Sequence, residues 1–304
     1  MRSRFMEVGA PTAFVLMWSS AFIVGIVGVG TAPPMLVLFA RFGLAGVALA
    51  LYARVAHARW PRGRQLAHAV VAGLLMQFVQ FAAFYSAMAD HVSAAVISLV
   101  QGLNPVVIAL FAARVLGENV SGRQWLGFGV GGLGVGLAVV DQSAFSVAGL
   151  VLCVIGLLGL SLGTVYQKRF TPAIDSRAST AIHVLVSIPA AGVMALAHHD
   201  FHVSDPARFG VVLAWMVVIN SMGAFLLLNS MLRRWTTTRV GRLFFATPAV
   251  TALMAWLAID QPLRPLTIAG LAVGVVGMVL ASRRAPARAA ETTPSEERET
   301  VAVR

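Results

Sequence analysis

The stretch from Val92 to Ala113, VSAAVISLVQGLNPVVIALFAA, runs 22 residues without a charge. At 1.5 Å rise per residue, a helix of about 20 apolar residues crosses the hydrocarbon of a bilayer. The stretch therefore reads as a membrane span. Nine further runs of this kind occur, at 10–30, 34–54, 66–89, 122–140, 146–167, 178–198, 208–232, 240–259 and 265–283. The composition agrees with ten spans: 58% of the 304 residues are hydrophobic and 12% charged, with a mean hydropathy of +0.82. A soluble domain carries roughly a quarter charged residues, so a soluble enzyme and a disordered chain are both excluded. A single cysteine, Cys153, leaves no disulfide framework or thiolate metal cluster within one chain. The first run lacks a clear small-x-small cleavage site, and reads as a span rather than a signal peptide.

The basic residues set the orientation, because short loops rich in Lys and Arg stay on the cytoplasmic side. Numbering the loops alternately puts 20 of the 23 Lys and Arg on the side of the N-terminus. Arg208 and Arg264 fall on the other side, and Arg41 falls within a span. The split predicts both termini in the cytoplasm and a multi-pass protein of the cell's inner (plasma) membrane. It also accounts for the net charge of +11 without nucleic acid, leaving the lipid bilayer as the partner of the basic surface. Residues 1–9 read as a short cytoplasmic N-terminus. Residues 285–304, rich in Ala, Thr, Pro, Glu and Arg, read as a disordered cytoplasmic tail.

Sliding the chain on itself by 143 positions superposes the fourth and fifth spans on the ninth and tenth without gaps. Met88 falls on Met231, Pro105 on Pro248, Val107 on Val250, Ala109 on Ala252 and Leu110 on Leu253. Gly127, Gly131 and Gly134 fall on Gly270, Gly274 and Gly277. The offset is five spans, an odd number, so the copies cross the membrane in opposite senses. The sequence thus predicts an all-α integral membrane fold, with ten transmembrane helices arranged as two inverted five-helix repeats (10–141 and 146–283) around a central cavity. Inverted repeats of this kind are a hallmark of secondary transporters working by alternating access.

The residues that carry this layout resemble the drug/metabolite transporter superfamily, in its EamA-type branch of ten-helix carriers. They are Trp18-Ser19-Ser20-Ala21-Phe22, Ala40-Arg41-Phe42, Asn104-Pro105, Leu116-Gly117-Glu118, a Gly-rich fifth span and Thr247-Pro248. Asp260-Gln261-Pro262 departs from the Gly-Glu usual there. The resemblance implies export or exchange of small metabolites, with neutral or aromatic amino acids as the leading substrate class. Drugs, nucleosides and other metabolites are the alternative.

Polar residues within spans are costly against lipid and are expected to face inward. Arg41 is the most costly, with no Asp or Glu at its depth. It either binds a substrate carboxylate or plays a structural part by snorkelling or bridging carbonyls. Gln77, Gln80, Phe81 and Phe84 share one helical face, as do Ser98, Gln101 and Pro105 with Asn104 beside them. These faces either line a cavity or hydrogen-bond between helices. Trp18 and Phe22 lie one turn apart in the first span, and Ser19 and Thr247 join the candidate set from their motifs. Asn220 and Asn229 lie on opposite faces of the eighth span, so at most one is expected at the cavity. Pro105 and Pro248 are expected to kink their helices in mid-span, either to shape each half-bundle or to serve as hinges. Gly127 with Gly131, and Gly270 with Gly274, form small-xxx-small pairs suited to packing within the chain or to a weak dimer.

His183, well inside a span, suits either a structural hydrogen bond or a proton relay. His198, His199, Asp200 and His202 read as a solvated loop rather than a metal site. No catalytic constellation, cofactor motif or metal site emerges, so no enzymatic activity is expected. The spans also lack a deep carboxylate of the kind cation-driven carriers use, which predicts facilitated diffusion or exchange.

Overall fold

The computed structural model describes residue 7 and residues 9–116, 121–140, 146–199, 201–232 and 234–282. Gly117, Glu118, Asp141, Asp200, the 285–304 tail and most of the 1–9 segment lie outside the described residues. The side chain of Asn229 does too. The helices follow the ten runs closely. They are α1 (Ala10–Val29), α2 (Pro34–Val55), α3 (Arg64–Ala89), α4 (Ala94–Gly102, then Asn104–Leu116) and α5 (Gly122–Val140). There follow α6 (Val147–Phe170), α7 (Ser176–His198), α8 (Pro206–Trp215, Met216–Gly223 and Ala224–Leu232), α9 (Thr237–Leu243, then Thr247–Ile259) and α10 (Pro265–Ser282). Among the described residues, seven helices are long and apolar enough to cross a membrane; α9 and α10 give shorter apolar helices and α5 is rich in glycine. Large apolar side chains such as Leu51, Leu133, Val211 and Leu257 stand exposed on the outside, where lipid rather than water is the compatible solvent.

The helix ends are fixed by local chemistry. Ser93, Ser146, Asp175 and Asp205 cap α4, α6, α7 and α8 by accepting a backbone N–H of the first turn. Before α5, Ser121 and Gln124 cap each other reciprocally, the Ser121 N–H donating to Gln124 Oε1 at 2.8 Å. Asp260 ends α9 with φ at 53°. That left-handed conformation usually falls to Gly but is tolerated by Asp. The departure from the Gly-Glu pattern therefore keeps the turn, and Gln261 Oε1 accepts from the Ala94 N–H at 3.2 Å, tying α9 to α4.

At the start of α7, the Arg177 side chain donates to both Asp175 oxygens, at 3.0 and 2.7 Å, and to the Ala56 carbonyl at 2.8 Å, joining α7 to the end of α2. These bonds hold the Asp175 carboxyl down at about 2, below its ordinary 3.8. A carboxyl lowered on folding stabilises fully above its unfolded pKa and loses that contribution as pH falls through its folded one. Asp175→Asn should therefore melt below the unaltered protein at pH 7, with the gap closing as pH falls from about 4 toward 2. Thermal unfolding in detergent across that range checks it.

Contacts between helices follow a pseudo-twofold pattern. The α2–α7 and α5–α10 pairs each join one helix to its counterpart 143 residues on. The α3–α6 and α4–α6 contacts are repeated as α8–α1 and α9–α1. The same offset governs two local irregularities. Leu74–Val79 in α3 and Met216–Gly223 in α8 are π-helical, and Gln77 in the first corresponds to Asn220 in the second. π segments occur frequently at functional sites, because the extra residue re-aims side chains.

The two prolines stand where the helical hydrogen bonding of their spans is interrupted. α4 stops at Gly102 and restarts at Asn104-Pro105; α9 stops at Leu243 and restarts at Thr247-Pro248. Each proline stands in the first turn of the new helix, where its missing N–H costs nothing. In α4 the interruption is the single residue Leu103, which keeps right-handed helical φ and ψ; in α9 it is a run of tight turns over 244–246. The glycine reading also needs refinement. The α5–α10 contact uses Gly127 with Gly134 and Gly270 with Gly277, spaced i, i+7, which approach backbone directly. The Cβ directions of Gly131 and Gly274 face Leu103 and Leu99 of α4 instead.

Candidate functional site

Every helix except α5 and α10 contributes to a central cavity of about 420 Å³, within the range of small-molecule sites. A second hollow of about 580 Å³ between α4, α5 and α6 is walled by aliphatic residues such as Val100, Leu103 and Val154. It offers nothing that fixes a polar molecule. The central cavity gathers thirteen of the fourteen expected substrate-site residues: Trp18, Phe22, Arg41, Gln77, Gln80, Phe81, Phe84, Ser98, Gln101, Asn104, His183, Asn220 and Thr247, with Pro105 beside them. Ser19 is the exception. It is fully buried against α9, its hydroxyl reaching the Thr247 carbonyl at 3.4 Å. Its neighbour Ser20 carries the polar contacts on that turn instead.

Arg41 is the one charged side chain on the cavity wall among the described residues, and only 7% exposed. Its guanidinium lies 4.5 Å above the centre of the Phe81 ring, and one N–H donates to the Tyr85 hydroxyl at 2.7 Å. Tyr85 in turn points its hydroxyl at Met216 Sδ of α8, 3.6 Å away. Among the described residues Arg41 has no carboxylate partner. Neither snorkelling nor a carbonyl bridge describes it; a phenol and an aromatic face hold it. Tyr85 went unnoticed in the sequence, although it lies four residues beyond Phe81 on the same face of α3.

Phe81, Phe84, Phe22, Phe225 and Phe244 form an aromatic lining. Trp18 does not stack on Phe22 as its spacing suggested. Its ring partners are Phe14, at 5.6 Å, and Phe244 of α9, at 5.1 Å and nearly perpendicular. The π segment in α3 replaces the regular face expected for Gln77, Gln80, Phe81 and Phe84, yet all four reach the cavity. On α4, Asn104 Oδ1 accepts from the Ser161 hydroxyl at 2.8 Å, and Ser98 donates to the Ala95 carbonyl at 2.9 Å.

His183 is buried, with Nε2 3.2 Å from the Ser179 hydroxyl, which itself accepts from Gln167 Nε2 at 3.1 Å. In the loop cluster, His199 closes α7 in a left-handed conformation and His198 Nδ1 lies 2.8 Å from the Met194 carbonyl. No group of three metal-binding side chains occurs among the described residues.

The cavity is not symmetric along the bundle. Toward the end that carries Ala10 and Ser282, its wall extends to Leu49, Thr180 and Leu228. Toward the opposite end, Met88 and Met216 pack over Gly25 and Gly28 of α1. A Cβ at Gly25 would stand 2.8 Å from Met88 Sδ, and one at Gly28 would stand 3.2 Å from Met216 Cε. Ser204 adds a tie there, its N–H and hydroxyl donating to the Thr31 carbonyl at 2.9 and 3.1 Å.

A broken-helix bundle around an amide-lined and aromatic-lined cavity is the architecture of a membrane carrier. The chain belongs to the EamA-like transporter family, whose model matches it twice, over residues 11–140 and 147–283. Among curated proteins it is similar to the uncharacterized inner membrane transporter YedA of Escherichia coli K12. That match is 27% identical over 190 residues, 61% of this chain and 59% of YedA's length. It is also 24% identical, over 88% of this chain and 91% of the other, to a probable amino-acid metabolite efflux pump of the same organism. The uncharacterized transporter YvbV of Bacillus subtilis is 21% identical over 91% of both chains. A solved crystal structure of a protein 19% identical superposes with a TM-score of 0.62, covering 90% of this chain and 95% of that one; it shows the shared fold.

Proposed function

We propose that this transporter exports or exchanges neutral and aromatic amino acids by alternating access, with the central cavity as the substrate site. The observation that carries the reading is Arg41. A buried guanidinium without a carboxylate partner among the described residues, set on an aromatic wall, matches a substrate with a carboxylate and an apolar side chain. Arg is suited to the task because its planar fork meets a carboxylate through two parallel hydrogen bonds. The efflux-pump relative adds weight to the amino-acid class. The two repeats, at 10–141 and 146–283, would exchange packings so that the cavity opens first at one end and then at the other. In this reading both termini are cytoplasmic and the structure is closed at the external end, where Met88 and Met216 lie over α1.

The test is efflux of labelled amino acids from proteoliposomes. Saturable release of phenylalanine or another bulky neutral amino acid, above that of empty liposomes, is the expected result. Release of drugs or nucleosides with no amino-acid efflux would transfer the site to the alternative substrate class. A second expectation concerns energy. With no carboxylate on the cavity wall among the described residues, an imposed pH gradient alone should not concentrate substrate; accumulation driven by that gradient would overturn the facilitator or exchanger reading.

A further inference from the structure

The Asn220 amide is pinned. Its Nδ2 donates to the Met17 carbonyl at 2.5 Å and to the Ser20 hydroxyl at 3.0 Å, so both amide hydrogens are used. Turning the amide over would set Oδ1 against the Met17 carbonyl oxygen, a contact between two acceptors. Ser20 cannot serve Oδ1 either. Its own hydrogen goes to the Met17 carbonyl at 2.7 Å, and its oxygen also accepts from Trp215 Nε1 at 3.0 Å. Asn220 Oδ1 is buried and has no protein partner. Thr247 Oγ1, on a residue 5% exposed, also has none. Thr251 Oγ1 shares that state one turn further along α9, but it is not on the cavity wall.

Asn220 and Thr247 do line the cavity, and both dock on the same turn of α1, Asn220 through Met17 and Ser20 and Thr247 through Ser19. Buried polar atoms are nearly always satisfied, and an orphan inside a binding cavity calls for a ligand group. Oδ1 can only accept, so the missing partner is a donor. Among the described residues, Gln77, Gln80 and Gln101 have no hydrogen bond that fixes which amide end faces the cavity.

We propose that Asn220 Oδ1 and Thr247 Oγ1 form a paired acceptor site that binds the substrate's N–H donors, an ammonium group in the amino-acid reading. The proposal deepens that reading and rests on it for the identity of the substrate. Arg41 on α2 then takes the carboxylate while α8 and α9 take the ammonium, so recognition of one zwitterion draws on both halves of the chain. A site built to hydrogen-bond a substrate group discriminates strongly against the analogue that lacks it, since its own groups are then left unpaired.

The experiment measures affinities from ligand-dependent thermal stabilisation of the purified full chain. The probes are L-phenylalanine, 3-phenylpropionate, which lacks the ammonium, and phenethylamine, which lacks the carboxylate. The expected result is phenylalanine binding at least about tenfold tighter than 3-phenylpropionate. Thr247→Val and Asn220→Leu should each bring phenylalanine down to the 3-phenylpropionate level without changing 3-phenylpropionate itself, and Thr247→Ser should keep the preference. The unchanged 3-phenylpropionate affinity also reports that the variants are folded. Equal binding of the two acids, or variants that keep the ratio or weaken both acids alike, would overturn the acceptor site and leave the carboxylate reading standing. Binding of phenethylamine but not of 3-phenylpropionate, lost in Thr247→Val, would support the acceptor site and remove the carboxylate reading. Binding of none of the three would overturn both.

Discussion

Arg41→Gln is expected to raise the half-saturating concentration for amino-acid efflux by about a hundredfold, since truncating one partner of a buried hydrogen-bonded charge pair costs about 2–5 kcal/mol. The guanidinium has left water without gaining a carboxylate among the described residues in return, and this imbalance is what a substrate carboxylate would relieve. The same imbalance predicts an opposite effect on stability. Removing a buried charge that no counter-ion compensates relieves a desolvation cost, so Arg41→Gln should melt at or above the temperature of the unaltered protein. Lost transport with retained or raised stability separates substrate binding from a structural role. A structural Arg41 would give the reverse, falling stability with transport kinetics intact. Phenylalaninamide, which lacks the carboxylate, should be bound equally by both forms. Arg41→Lys keeps the charge but gives up the planar fork and its fit over Phe81, and should fall between the two.

Much of this was legible in the sequence for a physical reason. In a bilayer, a buried polar residue must have an inward use, so Gln77, Gln80, Ser98, Gln101 and Asn220 could be assigned to the interior from hydropathy alone, and the cavity collects them. Helix length is fixed by the bilayer, which made the ten spans readable to within a few residues. Three-dimensional choices among neighbours were not readable. Ser19 and Ser20 are adjacent, and helical periodicity cannot say which meets α8 and which meets α9. The π segments escaped because neither Leu74–Val79 nor Met216–Gly223 carries a proline or a charge, and the polar Gln77 and Asn220 within them are equally compatible with a regular helix. Their effect is to shift the face that a regular period would assign. Tyr85 escaped because a phenol in an apolar run reads as core until the partner of its hydroxyl, 44 residues away on α2, is seen. A proline in mid-span reads as a kink in the sequence. Seen in the fold, Asn104-Pro105 and Thr247-Pro248 are helix starts, and the extra break gives the first turn of each new helix access to the cavity.

The glycines of α5 and α10 give the second large expected effect. An added Cβ at Gly134 would lie 2.5 Å from the Gly274 nitrogen and 2.6 Å from the Gly270 carbonyl oxygen. One at Gly127 would lie 2.5 Å from the Ala281 nitrogen. These neighbours are backbone, which cannot rotate aside as a side-chain tip can, so the two helices must separate along their length. Gly134→Ala is therefore expected to cost upwards of about 1–3 kcal/mol, the range for overpacking a fitted contact, and Gly127→Ala combined with it should cost more. Thermal unfolding in detergent reads this as a fall of several degrees in the midpoint. Gly129, Gly132 and Gly136 lie on the same helix with nothing within 4 Å of an added Cβ. Their Ala variants should be neutral or stabilising by up to about 1 kcal/mol, through better helix propensity and a more restricted unfolded chain. The contrast also decides what the glycine face is for. If it served dimerisation, Gly134→Ala would dissociate an oligomer and leave monomer stability equal to that of Gly129→Ala. If it holds α5 to α10, monomer stability falls and the oligomeric state is unchanged. α5 and α10 are the two helices absent from the cavity wall, and each comes from a different half of the chain. A tight backbone contact there joins the halves away from the cavity wall, which is what a bundle needs if the remaining eight helices are to repack around the cavity without coming apart.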